Sequence, residues 1–461
     1  MIAVPSFEGR PVAVLGLARS GRAAAASLAA GGAEVLAWDD SEKTRAAVAG
    51  DVSLRDLTTV DWREVAALVL SPGIPHSFPA PHPAVTRARE AGVPVIGDIE
   101  LLGRAQPEAR YIGITGTNGK STTTALIGHI LAEAGQPVEI GGNLGPPALG
   151  LRPLGKGGTY VLEMSSFQLE LVTSLAFDIA VLLNITPDHL DRHGDMAGYI
   201  AAKQRIFARQ RESATAIVGM DDAICRNLRE RLGAPGGPRV IPISAVGRAP
   251  GGVWAEDGWL IDGTDGAPMR VLDLAEAPRL PGVHNAQNAA AAYAAARCAG
   301  VAAARAVAAI RSFPGLAHRQ ELVDTIDGVR YINDSKATNA DATEKALACY
   351  PAIYWIAGGL PKAGGITSLA PYFARLRHAF LIGNATGEFA ATLDGKVAYS
   401  RCGDLATALD AASTMARAER MSEAVVLLSP ACASYDQFPN FEVRGDTFRR
   451  LVGELPGAHR R

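Results

Sequence analysis

Cysteine is scarce in this chain: five residues in 461, at Cys225, Cys298, Cys349, Cys402 and Cys432, none in a CxxC pair. A scattered, odd-numbered set argues against a disulfide framework and against structural zinc, and points to a reducing compartment. No run of about 18 apolar residues occurs, so no membrane-spanning helix is expected. The opening residues, Met1-Ile-Ala-Val-Pro-Ser-Phe-Glu8, lack a basic stretch followed by a long apolar one, and no signal peptide is expected. Charge of one sign is not in excess either. A net charge of −2 gives no bulk electrostatic reason to bind nucleic acid or a membrane surface. Low-complexity tails and short repeats are absent. What remains is an ordinary globular composition, 48% apolar and 20% charged. At this length roughly two to four domains are expected, in a cytoplasmic protein.

The most informative stretch is Tyr111-Ile-Gly-Ile-Thr-Gly-Thr-Asn-Gly-Lys-Ser121. Tyr111 to Ile114 reads as a buried strand, and Thr115 to Gly119 as a tight, glycine-permitted turn. A helix follows over Thr122 to Ala134, with Leu126, Ile127, Ile130 and Leu131 on one side. Strand, glycine loop, Lys-Ser and helix make a phosphate cradle. Backbone N–H groups and the helix N-terminus face the anion, Lys120 reaches the terminal phosphates, and the Ser121 hydroxyl suits Mg²⁺. The strict G-x-x-x-x-G-K-[ST] pattern is missed, since Ile114 stands where its first glycine belongs. A structural turn is therefore the competing reading.

Taken in order, the chain reads as three α/β segments. Pro11 to Gly16 is a strand, Gly16-Leu-Ala-Arg-Ser-Gly21 a turn into a helix over Arg22 to Ala30, and Ala33 to Trp38 a second strand ending at Asp39-Asp40. This βαβ unit carries its acidic pair about twenty residues beyond the first glycine, as in a Rossmann half. Ala18 occupies the middle glycine of G-x-G-x-x-G, so a nucleotide-type ligand and a purely structural turn both stay open. A third strand, Val65 to Leu70, runs into Ser71-Pro-Gly-Ile-Pro75. Ala105 to Arg110 reads as a linker, and Ser312 to Arg319, with Pro and Gly, as another. The expected division is 1–106, 107–312 and 313–461: a Rossmann-like domain, a central ATPase domain of phosphate-loop type with a mainly parallel sheet, and a second Rossmann-like domain.

Several residues stand where chemistry could occur. Glu163 ends the strand Thr159 to Glu163, and His189 follows the strand Ile179 to Leu183 within Asn184-Ile-Thr-Pro-Asp-His189. Singly, each is as easily a plain turn residue. Lys203, with Tyr199 and Phe207 four positions to either side, reads on its own as a solvated helix lysine. In the last segment Asn333-Asp-Ser-Lys-Ala-Thr-Asn339, Gly358-Gly-Leu-Pro-Lys362 and Ser429-Pro-Ala-Cys-Ala-Ser434 each follow a strand. Three polar turns at strand ends point to one ligand face along the carboxyl edge of a sheet.

Gly116-Thr-Asn-Gly-Lys-Ser121, Glu163-Met-Ser-Ser-Phe-Gln168, Asn184 to His189, Gly282-Val-His-Asn285 and Asn333-Asp-Ser-Lys336 together resemble the Mur ligase family across the whole chain. Ser71 to Pro75, Leu162 to Glu170, Asn333 to Asn339 and Ser429 to Phe438 are most similar to its D-glutamate-adding branch. The Asp-Asn-Pro-Arg run of the diaminopimelate- or lysine-adding branch is absent. The resemblance implies ATP-dependent ligation of D-glutamate to UDP-N-acetylmuramoyl-L-alanine in cytoplasmic peptidoglycan precursor synthesis, by a monomer without nucleic-acid partners. It places ATP on Gly116, Thr117, Asn118, Gly119, Lys120, Ser121, Thr122, Asn285, Asn288, Arg319 and Asp334. Two Mg²⁺ ions are implied at Ser121, Glu163, His189 and Lys203, the last as a carbamate, with Lys120, His189 and Lys203 catalytic. The UDP-sugar is implied on Gly16, Leu17, Ser20, Gly21, Asp39, Asp40, Ser71, Gly73 and Asn143. D-glutamate is implied on Thr338, Lys362, Ser434 and Phe441.

Other readings remain: a folylpolyglutamate-type ligase, a ligase of the same family adding a different amino acid, an NAD-dependent oxidoreductase, or a nucleotide-binding regulator without catalysis. The UDP-type first segment speaks against the folate ligase, Ala18 and the phosphate loop against the oxidoreductase. Glu163, His189 and Lys203 occurring together speak against the regulator.

Overall fold

The computed structural model describes residues 1–48, 50, 52–362 and 364–459. The chain divides into two compact units, Met1–Ala277 with Asn285–Phe313, and Pro278–His284 with Pro314–Arg461. Both are α/β.

The first unit holds two sheets. The smaller contains β1 (Pro11–Leu15), β2 (Glu34–Trp38), β3 (Leu68–Leu70) and β4 (Val95–Ile96), all parallel, in the order β2-β1-β3-β4. The larger is built from β5 (Arg110–Thr115), β6 (Val138–Gly142), β7 (Thr159–Glu163), β8 (Ile179–Leu182), β9 (Thr215–Gly219), β10 (Arg239–Ser244), β11 (Val253–Glu256), β12 (Trp259–Asp262) and β13 (Met269–Asp273). Its order is β13-β12-β11-β10-β9-β8-β5-β7-β6, parallel except for the antiparallel β11-β12-β13 end. Strands β7, β8 and β9 are buried along their whole length, which explains their continuous apolar runs. Because β6, β7, β5 and β8 are parallel neighbours, their carboxyl ends deliver Asn143, Glu163, the glycine loop and Asn184 to one edge.

The second unit has one sheet of β14 (Glu321–Ile326), β15 (Val329–Asn333), β16 (Ala352–Gly358), β17 (Leu376–Ile382), β18 (Tyr399–Gly403) and β19 (Ala424–Leu428). The order is β14-β15-β19-β16-β17-β18, antiparallel only between β14 and β15. Alternate residues of β16 enter two different cores. Ile353, Trp355 and Ala357 pack with the helices Ala340–Leu347 and Thr386–Leu393, while Tyr354 and Ile356 pack with Leu405–Glu419 and Phe441–Gly453. Among the described residues no helix is long and apolar enough to cross a membrane.

One buried carboxylate braces the first unit. Glu100, in the helix Asp98–Ala105, has a fully buried side chain that accepts from Thr173 N at 2.9 Å, Ser174 N at 2.8 Å, Arg104 Nε at 3.0 Å and the Ser174 hydroxyl. Burial pushes its pKa up, but these donors outweigh burial and hold it at about 2, against an ordinary 4.5. The folded state therefore gains stability above the ordinary value and loses it as pH falls toward about 2, a linkage worth ~3 kcal/mol at neutral pH. Glu100→Gln is expected to lower the urea midpoint at pH 7, and its gap to the wild type is expected to narrow as pH falls from about 4.5 toward about 2. A gap that stays constant with pH would refute this account.

Candidate active site

Everything at the carboxyl edge of the larger sheet turns around the loop after β5. Gly116 has φ of 153° and Gly119 φ of 85°, both in the region that favours glycine. A Cβ at Gly119 would stand 2.3 Å from Asn288 Oδ1, so the loop also needs a bare backbone there. Gly119 caps the helix Lys120–Glu133, whose N-terminus faces the loop. Residues in the turn after β8 hold the loop from outside. Asn184 Oδ1 accepts from Asn118 N at 2.9 Å, Asn184 Nδ2 donates to Asn118 O at 3.2 Å, and Thr117 Oγ1 donates to Thr186 O at 3.1 Å. Lys120 Nζ donates to Gly116 O at 2.9 Å and Thr117 O at 2.8 Å, inside the curve of the loop.

Glu163 lies against this loop with 3% of its surface exposed. Its two oxygens accept from Ser121 Oγ at 2.5 Å and Asn143 Nδ2 at 2.6 Å. Asn143 is thus drawn to Glu163, while the first βαβ turn meets the same segment through Arg19, whose guanidinium donates to Gly145 O at 2.6 Å.

Lys203 corrects the solvated reading: it is 1% exposed, donates to Gly116 O at 2.8 Å, and sits 4.6 Å from the Tyr199 ring centre. Burial, then the charge of Lys120, pulls its pKa well below the ordinary lysine value. The sequence shows Lys203 only as a helix residue between two aromatics, with nothing to say that the packed side of that helix is the active side. His189, with φ of 52°, begins the turn after β8. Its half-exposed ring lies 5.1 Å from Phe167 and 6.4 Å from Tyr199, whose hydroxyl reaches Thr117 Oγ1 at 3.2 Å. Asn285 and Asn288 lie one turn apart on the helix Val283–Cys298, joined by a 2.9 Å hydrogen bond, and Thr123 Oγ1 donates to Asn288 Oδ1 at 3.2 Å. Lys120, Ser121, Glu163, Asn143, Lys203, His189, Asn285 and Asn288 are therefore assembled around one loop.

The first βαβ turn is built separately. Leu17 N donates to Asp39 Oδ2 at 2.7 Å, Ser71 Oγ donates to Gly16 O at 3.0 Å, and a Cβ at Gly21 would collide with Gly16 O. Asp40 turns outward to His82, 3.0 Å away. Ser20 lies in the first turn of the helix Arg19–Ala30, and Asp98 is a buried carboxyl that accepts from Ile99 N at 3.0 Å and that desolvation raises to about 6.

In the second unit β15, β19 and β16 are adjacent and parallel, so the turns after them share one edge. Asp334 is buried, accepts from Ser429 Oγ at 2.7 Å and Gln320 N at 3.1 Å, and is pushed up to about 7 by desolvation. Ser434 is buried and Lys362 exposed, and Lys336 Nζ lies 3.7 Å from the Phe441 ring centre. Sequence reasoning missed the residue that ties these turns together. Arg444 is 1% exposed and donates to Ser335 Oγ at 3.0 Å, Ser335 O at 2.8 Å and Cys432 O at 3.1 Å. The last helix runs Phe441–Gly453 and starts where Asn440 Oδ1 accepts from Val443 N at 2.8 Å. The Pro439-Asn440 pair was the available signal for that start.

Magnesium takes oxygen donors and keeps waters, bridging to phosphates instead of filling an all-protein cage. The buried Ser121 hydroxyl and Glu163 carboxylate, side by side at the phosphate loop, fit that requirement. Among the described residues no group of three His, Cys, Asp or Glu could cage an ion.

Residues 114–296 match the Mur ligase middle domain. The chain is 55% identical to the UDP-N-acetylmuramoylalanine--D-glutamate ligase of Rhodospirillum rubrum, covering 100% of this chain and 98% of that one. It is 54% identical to the enzyme of that name from Caulobacter sp. (strain K31), covering 100% of each. Of solved structures, a UDP-N-acetylmuramate-alanine ligase from Thermotoga maritima superposes with a TM-score of 0.57 at 16% identity, over 96% of this chain and 98% of that one. MurF from Acinetobacter baumannii does so at 0.56 and 18% identity, over 80% and 87%. At these identities the two structures speak to the fold alone.

Proposed function

The chain belongs to the UDP-N-acetylmuramoylalanine--D-glutamate ligases of the Mur ligase family, and from that premise we infer how its own residues carry the reaction. It is an ATP-dependent ligase that adds D-glutamate to UDP-N-acetylmuramoyl-L-alanine in peptidoglycan synthesis, with ATP and Mg²⁺ as the family's requirements. The observation that carries our reading is the buried Glu163 carboxylate beside the Ser121 hydroxyl, at the loop shared by Lys120 and Lys203.

A carboxylate is a poor electrophile, so the alanyl carboxylate first attacks the γ-phosphorus of ATP, giving an acyl phosphate and ADP. The amine of D-glutamate then attacks the acyl carbon, the bond to phosphate breaks, and the amine loses its proton. Mg²⁺, when bound, neutralises phosphate charge. Ser121 and Glu163 would hold one ion, with Lys203 contributing oxygens as its carbamate, and His189 would serve a second. The cradle of 116–122 orients the triphosphate, and Lys120 exchanges its loop carbonyls for phosphate oxygens as charge moves to the β–γ bridge. We assign Asn285, Asn288, Arg319 and Asp334 to the rest of ATP. Gly16, Leu17, Ser20, Gly21, Asp39, Asp40, Ser71, Gly73 and Asn143 are assigned to the sugar nucleotide, within a domain of residues 1–106. Thr338, Lys362, Ser434 and Phe441 are assigned to D-glutamate, within 313–461, and 107–312 form the ATPase domain. A cytoplasmic monomer follows from this reading.

The test is phosphate release from ATP, Mg²⁺ and UDP-N-acetylmuramoyl-L-alanine with D-Glu, L-Glu, L-Ala, meso-diaminopimelate or L-Lys. Turnover with D-Glu alone is expected. Turnover with a different amino acid would overturn the assignments of Thr338, Lys362, Ser434 and Phe441.

A further inference from the structure

Four buried ionisable side chains of the first unit have no part in this scheme. Glu170 ends the short helix Ser166–Glu170. One of its oxygens lies 3.2 Å from His76 Nε2 and 3.9 Å from an Arg192 nitrogen, and the other lies 3.7 Å from His193 Nδ1. The side chains are between 1% and 16% exposed. Arg192 stacks on Phe167, 5.2 Å from its centre, and its three guanidinium nitrogens are buried without a hydrogen-bond partner. His193 Nε2 meets Ser166 Oγ at 2.9 Å.

The basic groups around this one carboxylate come from two segments far apart in sequence. His76 directly follows Ser71-Pro-Gly-Ile-Pro75, and its carbonyl is pinned by Arg89 at 2.5 Å. Arg192 and His193 end the turn that His189 begins. A buried guanidinium next to two imidazoles tolerates close approach only while an anion stands among them. Taking the anion away leaves uncompensated buried charge, which is strongly destabilising for that arrangement.

We propose that Glu170 is a positioning residue for the ligase reaction: its carboxylate ties the sugar-nucleotide segment through His76 to the His189 segment through Arg192 and His193. The tie sets the distance between the anchored UDP end of the substrate and its reacting alanyl end. This rests on the assignment of Ser71 and Gly73 to the sugar nucleotide. A neutral amide of the same size fills the space but leaves the cation unbalanced, and a misplacement of about 1 Å can cost about 100-fold in rate.

The experiment measures kcat and KM for each of the three substrates in the wild type, Glu170→Gln, His76→Gln and the double variant. Glu170→Gln is expected to lower kcat/KM for the sugar nucleotide by roughly 10- to 100-fold, with KM for ATP within about twofold of wild type. His76→Gln should show the same split to a smaller degree, and the double variant should be no worse than Glu170→Gln alone. A purely structural role would instead lower the active fraction and Tm, leaving the KM values unsplit. That outcome, or losses that multiply in the double variant, would overturn the proposal. Should Glu170→Gln fail to fold, an unchanged sugar-nucleotide KM in His76→Gln would overturn it as well. A wild type inactive with UDP-N-acetylmuramoyl-L-alanine would instead remove the parent reading, and this inference with it.

Discussion

Lys203→Met is expected to lower kcat by about 1,000-fold, on the scale of removing a preorganised electrostatic partner of the transition state. The effect originates at the amine. Lys203 is 1% exposed, and burial together with the neighbouring Lys120 charge moves its pKa well below the ordinary lysine value. Only an unprotonated amine adds CO₂, so the shift enlarges the reactive population near neutral pH, where a solvated lysine would be almost wholly charged. Addition exchanges a cation for an anion with two oxygens, at the loop where Lys120 and the Ser121–Glu163 pair already converge. Enzyme stripped of CO₂ is therefore expected to lose activity and to regain it on addition of bicarbonate, with the recovery weakening as pH falls and the amine protonates. Lys203→Met should show neither loss nor recovery. A methionine variant within tenfold of wild type, or a wild type indifferent to bicarbonate, would refute the carbamate.

What could be read beforehand, and what could not, follows from how much each element buries. The strands that line the assembled site, β5, β7 and β8, are covered on both faces and therefore spell out apolar runs ending in polar turns. Three strands with little trace in the sequence, β6, β14 and β18, are all sheet edges. Val138–Gly142 ends in two glycines, Glu321–Ile326 is mostly half-buried, and Tyr399–Gly403 has no fully buried residue. Edge strands need only one apolar face, so their pattern is short and weak. The expected strand Val65 to Leu70 likewise shrinks to Leu68–Leu70.

Side chains follow the same logic. Residues inside short motifs, such as Glu163 and the glycine loop, announced themselves by position. Arg444 and Arg192 did not, because an arginine on a helix is usually solvent-facing and nothing local records that it is buried under loops from elsewhere in the chain. Lys203 was legible only through the family likeness. Its role depends on contacts with Gly116 and Tyr199, of which only the second is near in sequence.

Lys120→Met should be more damaging still, about 10³- to 10⁴-fold in kcat, since it removes the cation that we assign to the transferring phosphoryl group. The structure adds a second consequence. Lys120 and Lys203 both donate to Gly116 O, and after burial the Lys120 charge is the largest influence keeping Lys203 unprotonated. Replacing Lys120 with a neutral side chain relieves that repulsion, so Lys203 holds its proton more firmly and takes up CO₂ less readily. Part of the loss expected in Lys120→Met is thus a loss of the proposed carbamate, and the two substitutions are expected to damage one shared arrangement. The double variant Lys120→Met/Lys203→Met is expected to be no slower than the worse single variant by more than about tenfold, the behaviour of residues acting as a unit. The bicarbonate response of Lys120→Met should also require a higher pH than that of the wild type. Losses that multiply, together with an unshifted bicarbonate response, would mean that Lys120 acts on the phosphates alone and that burial by itself sets the state of Lys203.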